Sequence, residues 1–123
     1  MESEWKRSLE QIRKKTDFVP RIAVVLGSGL GGFADTIKTQ CVIGYEELPG
    51  FPVSTVAGHK GRFVLGWVQE VPVVLMQGRV HYYEGYSIQE TVLPIRLMRW
   101  MGAEKLLLTN AAGGICQEFS AGD

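Results

Sequence analysis

The run Ile22-Ala23-Val24-Val25-Leu26 and the loop after it, Gly27-Ser28-Gly29-Leu30-Gly31-Gly32, decide the fold. Five consecutive apolar residues without polar alternation are the pattern of a central strand covered on both faces. The strand stops abruptly at glycine, and a loop this poor in side chains lets successive backbone N–H groups close around an anion. Upstream, Trp5, Leu9 and Ile12 recur at spacings of four and three among charges, which predicts an amphipathic helix over residues 3–15. Downstream, strands are expected over Gln40 to Tyr45, Arg62 to Val68 and Val71 to Gln77, the last two forming a hairpin through Gln69-Glu70. Pro49, Gly50 and Pro52 mark a loop between the first of these and the hairpin.

Ser87 with Glu90 three positions on forms a capping box ahead of Ile88, Val92, Ile95 and Met98, predicting a helix that ends near Gly102. Leu93, Leu97 and Met101 add a second apolar row, so this helix is expected to be buried over much of its circumference. Pro94 lies inside it and predicts either a kink or a start closer to Val92. Lys105 to Thr109 is a further short strand, and a second glycine-rich loop, Asn110 to Gly114, follows. Strands alternating with helices make an α/β fold with a mixed β-sheet flanked by helices, read as a single domain over residues 1–123. In such sheets ligands sit beyond the carboxyl ends of the strands, and both glycine clusters fall there.

The 123 residues carry 13 Lys+Arg against 13 Asp+Glu, a net charge of zero that leaves no electrostatic footprint for nucleic acid. With 46% hydrophobic and 21% charged residues the composition is globular, and it argues against disorder. Apolar runs such as Val71 to Met76 fall far short of the roughly 20 residues of a membrane helix, and the N-terminal stretch has no signal-peptide pattern. Cys41 and Cys116 lack a second thiol or histidine at metal-ligand spacing, which points to reduced thiols and a cytoplasmic protein without a membrane partner.

Four segments could carry chemistry. Gly27, Gly29 and Gly32 satisfy a GxGxxG pattern, with Glu46 near the distance of a ribose-binding acid. Only about seven residues separate Gly32 from the next expected strand, however, too few for the crossover helix of a dinucleotide fold. Gly78-Arg79-Val80-His81-Tyr82-Tyr83-Glu84-Gly85 stands at the end of the hairpin, where alternation in an extended chain puts Arg79, His81 and Tyr83 on one side. There a guanidinium fork for phosphate or carboxylate, an imidazole and a phenol would converge. A solvated arginine or a satisfied histidine is the plainer account of each residue alone, and their alternation together weighs against it. His59 sits in Gly58-His59-Lys60-Gly61, and two histidines so far apart without a supporting carboxylate make a weak metal site. Thr109-Asn110-Ala111-Ala112-Gly113-Gly114 again leaves backbone N–H groups open at a strand end, consistent with a bare turn or with a shared anion pocket.

Taken in order, GSGLGG at 27–32, GHKGR at 58–62, QGRVHYYEGY at 77–86 and TNAAGG at 109–114 resemble the purine nucleoside phosphorylases of the homotrimeric, inosine- and guanosine-cleaving class. The resemblance covers essentially the whole chain but only the N-terminal part of that family's protein. It implies a nucleoside phosphorylase-like fold and reversible phosphorolysis of purine ribonucleosides to free base and ribose 1-phosphate. Carried over by motif, Ser28 would hold phosphate through its hydroxyl and backbone, Arg79 through its fork, Ala111 through its amide, and His81 through an imidazole N–H in a catalytic role. His59 would lie beside the phosphate and Tyr83 would pack on the ribose. Inorganic phosphate is then a co-substrate, no metal or organic cofactor is implied, and the complete protein is expected to be a homotrimer in purine salvage.

The family's base-recognising residues lie beyond position 123, so a chain of this length is expected to carry the phosphate-binding half and to be inactive alone. An open sheet edge with uncovered apolar residues is expected for the same reason. The alternative is a non-catalytic anion- or nucleotide-binding module that keeps the glycine loops.

Overall fold

The structure is a computed structural model describing residues 2–27, 29–49, 51, 61–78, 87–109 and 117–118, with side chains described throughout that set except at 2–4 and 90. Helix α1 spans Glu2–Lys15 and strand β1 Ile22–Leu26, followed by a 3₁₀ helix over Gly31–Thr36. Strand β2 (Lys38–Gly44) leads into a single 3₁₀ turn, Tyr45–Glu47, and then come β3 (Arg62–Val68), β4 (Val71–Gln77), helix α2 (Ile88–Met101) and β5 (Lys105–Leu108). One five-stranded sheet has the order β2-β3-β4-β1-β5. Strand β1 is parallel to both β4 and β5, whereas β3 is antiparallel to β2 and β4. The mixed sheet read from the sequence is therefore the one observed.

The alternation of β1 divides the core between the two faces. Ala23 and Val25 join Phe63, Leu65, Val74 and Met76 in a cluster closed by Ile12 of α1 and by Leu93, Leu97, Met98 and Met101 of α2. On the opposite face Val24 and Leu26 pack with Val64, Val73 and Leu75 beneath Ala34 of the 3₁₀ helix. Each of the Val, Leu, Ile, Phe and Met side chains among them contributes about 1.5–3 kcal/mol through removal from water. Arg13 ties the helical layer together, its two terminal nitrogens donating to the carbonyls of Phe18 at 2.7 Å and Met101 at 2.6 Å. Trp5 and Trp100 stack at 3.7 Å between ring centroids, joining α1 to α2.

Three expectations need correction. Strand β2 begins at Lys38 and ends at Gly44, one residue short of Tyr45, which turns into the 3₁₀ segment. Its exposed polar start hides the strand from an apolar pattern, and a register shift between Thr39 and Cys41 breaks the alternation. Helix α2 runs unbroken from Ile88, so Pro94 does not delay its start. The packing of Leu93, Leu97, Met98 and Met101 outweighs the ~3 kcal/mol that an interior proline costs locally. That buried stripe is also narrower than expected: Val92 and Ile95 are half-buried, while Ile88 lies 62% exposed. At the edge of the sheet β5 exposes Leu106, Leu107 and Leu108, and among the described residues only β1 pairs with it.

Candidate functional site

Parallel pairing sets the site. Leu26 is opposite Gln77 and Val25 opposite Leu108, so Gly27, Gly78 and Thr109 leave three adjacent strands at one end of the sheet. Gly44 is opposite Arg62, and Arg62 opposite Gln77, so the segment entered at Tyr45 and left at Gly61 opens at that end too. Four connections converge there, and side chains from four strand ends fasten their bases.

The Thr109 hydroxyl accepts the Gly27 N–H at 2.7 Å and donates to the Val25 carbonyl at 2.6 Å, joining the exits of β1 and β5. Gln77 uses both ends of its amide: Nε2 donates to the Gly31 carbonyl at 2.8 Å, and Oε1 accepts from Arg62 Nε at 2.5 Å. This fixes Gly31, where the glycine loop becomes 3₁₀ helix, to the end of β4. Tyr45 donates its phenolic O–H to the Gly78 carbonyl at 2.6 Å. Its ring is buried against Phe51 and Phe63, at centroid distances of 4.8 and 5.1 Å. Burial pushes the phenol far above its ordinary pKa, so Tyr45 stays protonated and donating through the neutral range. Gly61 passes over that ring so closely that a β-carbon would overlap it. Gly78 has a φ of +87°, a conformation that side chains other than glycine rarely adopt.

Ser28, His59, Arg79, His81, Tyr83 and Ala111 lie outside the described residues. What the structure places are the residues from which three of them follow in sequence: Gly27 before Ser28, Gly78 before Arg79, and Thr109 two positions before Ala111. The dinucleotide pattern finds no support in this geometry, because from Gly31 the chain enters six residues of 3₁₀ helix, not an α-helix. Glu46 is exposed on the 3₁₀ turn beyond β2, and β2 sits at the far edge of the sheet from β1. Cys41 is a free thiol, half-buried in β2. No described helix is long and apolar enough to cross a membrane.

Thr109, Gln77 and Tyr45 were not singled out as site residues from the sequence. Each is a lone polar group at the end of an apolar run, where the sequence shows only that a strand is ending. A strand-terminal Thr directly before a small-residue loop is the one signal that could have been read, since its hydroxyl is short enough to bond backbone locally.

Comparison with known proteins bears directly on this arrangement. A family model described as the phosphorylase superfamily matches residues 21–123. Purine nucleoside phosphorylase 1 of Bacillus subtilis is 47% identical over 123 residues, all of this chain and 45% of the relative. A solved purine nucleoside phosphorylase in complex with ribose 1-phosphate superimposes with a TM-score of 0.90 at 43% identity, covering 98% of this chain and 44% of the other. The Schistosoma mansoni enzyme in complex with inosine gives a TM-score of 0.88 at 40% identity, with 98% and 42% covered. The chain thus spans less than half the length of these relatives. With its mixed sheet, its glycine loops at adjacent strand ends and a match reaching from the first of those strands to residue 123, it belongs to the phosphorylase superfamily.

Proposed function

We propose that this chain supplies the phosphate-binding half of a purine nucleoside phosphorylase. The observation that carries the proposal is the adjacency of Gly27, Gly78 and Thr109 at the carboxyl ends of three parallel strands. Ser28 and Arg79 follow directly on two of these residues and Ala111 comes shortly after the third. A hydroxyl, a guanidinium fork and a backbone amide borne by three neighbouring strand exits suit the three oxygens of a phosphate.

In the proposed reaction a phosphate oxygen forms a bond to the anomeric carbon of a purine ribonucleoside as the glycosidic C–N bond breaks. The bonding pair leaves with the purine. The ribose becomes cationic on the way, so phosphate held beside the anomeric carbon stabilises the transition state electrostatically. Arg79 and Ser28 orient the nucleophile, and His81 donates an imidazole N–H to it. His59 borders the phosphate, and Tyr83 packs on the ribose. Inorganic phosphate is the co-substrate, without a metal or organic cofactor, and the complete protein works as a cytoplasmic homotrimer. Stabilisation of the departing purine falls to residues outside this segment.

The test is phosphorolysis by the full-length protein carrying this segment, followed as hypoxanthine release from inosine. Release that requires phosphate and yields ribose 1-phosphate is expected. Absence of phosphate-dependent release from inosine, guanosine and adenosine would refute the proposal.

A further inference from the structure

We propose that Thr109 is a positioning residue for phosphate, fastening to each other the exits of β1 and β5, which the two glycine-rich segments follow in sequence. The inference rests on the phosphate reading given above. Val25 and Leu108 are register partners in a parallel pair, and the Thr109 N–H donates to the Val25 carbonyl at 3.1 Å, as a regular ladder requires. One step further, the same ladder would send the Gly27 N–H to the Thr109 carbonyl. It goes instead to the Thr109 hydroxyl, at 2.7 Å, while that hydroxyl donates back to the Val25 carbonyl at 2.6 Å. The side chain thereby takes the place of its own backbone carbonyl as the acceptor. The regular ladder ends at this position, where in sequence the GSGLGG segment begins on one strand and the NAAGG segment follows the other.

Gly27 is buried, so its N–H has no ready substitute in water. Without the hydroxyl, the nearest satisfying arrangement is the regular bond to the Thr109 carbonyl, which extends the β1–β5 ladder by one residue and shifts the point at which both strands end. Valine keeps the shape of threonine and removes both bonds. Serine keeps the hydroxyl and loses one methyl.

The experiment compares Thr109→Val, Thr109→Ser and Thr109→Cys with native protein in the full-length chain. Phosphate binding is measured by calorimetry, and phosphate and inosine KM by steady-state kinetics. Thr109→Val should weaken phosphate binding by about tenfold or more, the scale of two lost hydrogen bonds. Inosine KM should change by less than about twofold, the behaviour of a substrate whose contacts are untouched. Thr109→Ser should stay near native, and Thr109→Cys, with its weak S–H donor, should fall between; this last variant decides the matter if valine prevents folding. Phosphate affinity that is unchanged in Thr109→Val or Thr109→Cys, or lost in Thr109→Ser, overturns the assignment, as does an equal rise in both KM values. Native protein that binds phosphate without cleaving nucleosides refutes the phosphorylase reading alone, whereas native protein that binds no phosphate refutes both.

Discussion

Tyr45→Phe isolates one hydrogen bond at the base of the site and predicts a stability difference that depends on pH. The substitution removes the O–H that donates to Gly78 at 2.6 Å and keeps the ring packed on Phe51 and Phe63. At neutral pH the loss should be about 1–2 kcal/mol, because the Gly78 carbonyl is left without its partner. Tyr45 is only 2% exposed, so little solvent screening reduces this figure. The sign of the pH effect follows from burial, which raises the folded-state pKa above that of the unfolded chain. The stabilisation is fully present below the unfolded value of ~10 and is lost as pH rises, because the unfolded phenol ionises while the folded one cannot. At about pH 11 that linkage removes about 1.4 kcal/mol, which brings native and Tyr45→Phe proteins to nearly equal stability. Urea denaturation of both proteins at about pH 8 and about pH 11 measures the difference, and other titrating groups cancel between them. A difference that stays constant across this interval would refute the argument, since it would mean that the phenol titrates alike in both states.

Further outcomes follow from the same structure. In the full-length protein Arg79→Ala should raise the phosphate KM at least tenfold, on the order expected for a lost charge-assisted fork, while the inosine KM stays nearly constant; phosphate titration at saturating inosine checks it. Leu97→Ala should destabilise the fold by about 2–5 kcal/mol in urea melts, since Leu97 is fully buried between α2 and the sheet. The Glu47 carboxylate is held below its ordinary range by the Gly44 N–H and then by Lys15, so the small stability it contributes is present above the unfolded pKa and lost as pH falls through the folded one. Comparison of native and Glu47→Gln melting temperatures near neutral pH and in mild acid should show the difference shrinking in acid. The 123-residue chain alone should release no hypoxanthine from inosine and should bind a hydrophobic dye, because Leu106, Leu107 and Leu108 are exposed on an edge strand; turnover by a monodisperse preparation would contradict this.

The layout of the sheet was legible because its signals are local. Ile22–Leu26 reads as a continuous apolar run and Arg62–Val68 and Val71–Gln77 as the two strands of a hairpin, and all three bounds match the observed strands. The start of β2 was not legible, since an exposed edge strand needs no apolar residues and Lys38, Thr39 and Gln40 supply none. Of the two readings of the proline in α2, a kink or a later start, the later start failed for the opposite reason: local propensity argued for it, and tertiary packing of Leu93 and Leu97 overrode it. At the site, motifs point to candidate anion-binding residues, which lie outside the described residues, while the residues fastening the strand exits stayed hidden. Tyr45 and Gly78 are 33 positions apart, and Gly27 and Thr109 are 82 apart. No spacing rule links such pairs before strand order is known.

The three fastenings divide labour in a way that bears on how the proposed anion site of glycine loops would work. Loops of this kind expose backbone N–H groups by giving up side chains, and glycine loses more conformational freedom on folding than any other residue. Their own sequence therefore cannot hold them in shape. Here the constraint is imported at the loop bases: Thr109 holds Gly27, Gln77 holds Gly31, and Tyr45 holds Gly78, each through a hydrogen bond to the backbone of another segment. Two of the three bridge neighbouring parallel strands or the segment leaving one of them, and the third brings in the connection after β2. Tyr45 is itself part of the apolar cluster that α1 and α2 form with the sheet, whereas Thr109 and Gln77 lie outside it, so disturbing either of these two should alter the strand exits more than global stability. Phosphate affinity and resistance to urea are thus expected to respond to different residues, Thr109 and Gln77 for the first and Leu97 for the second.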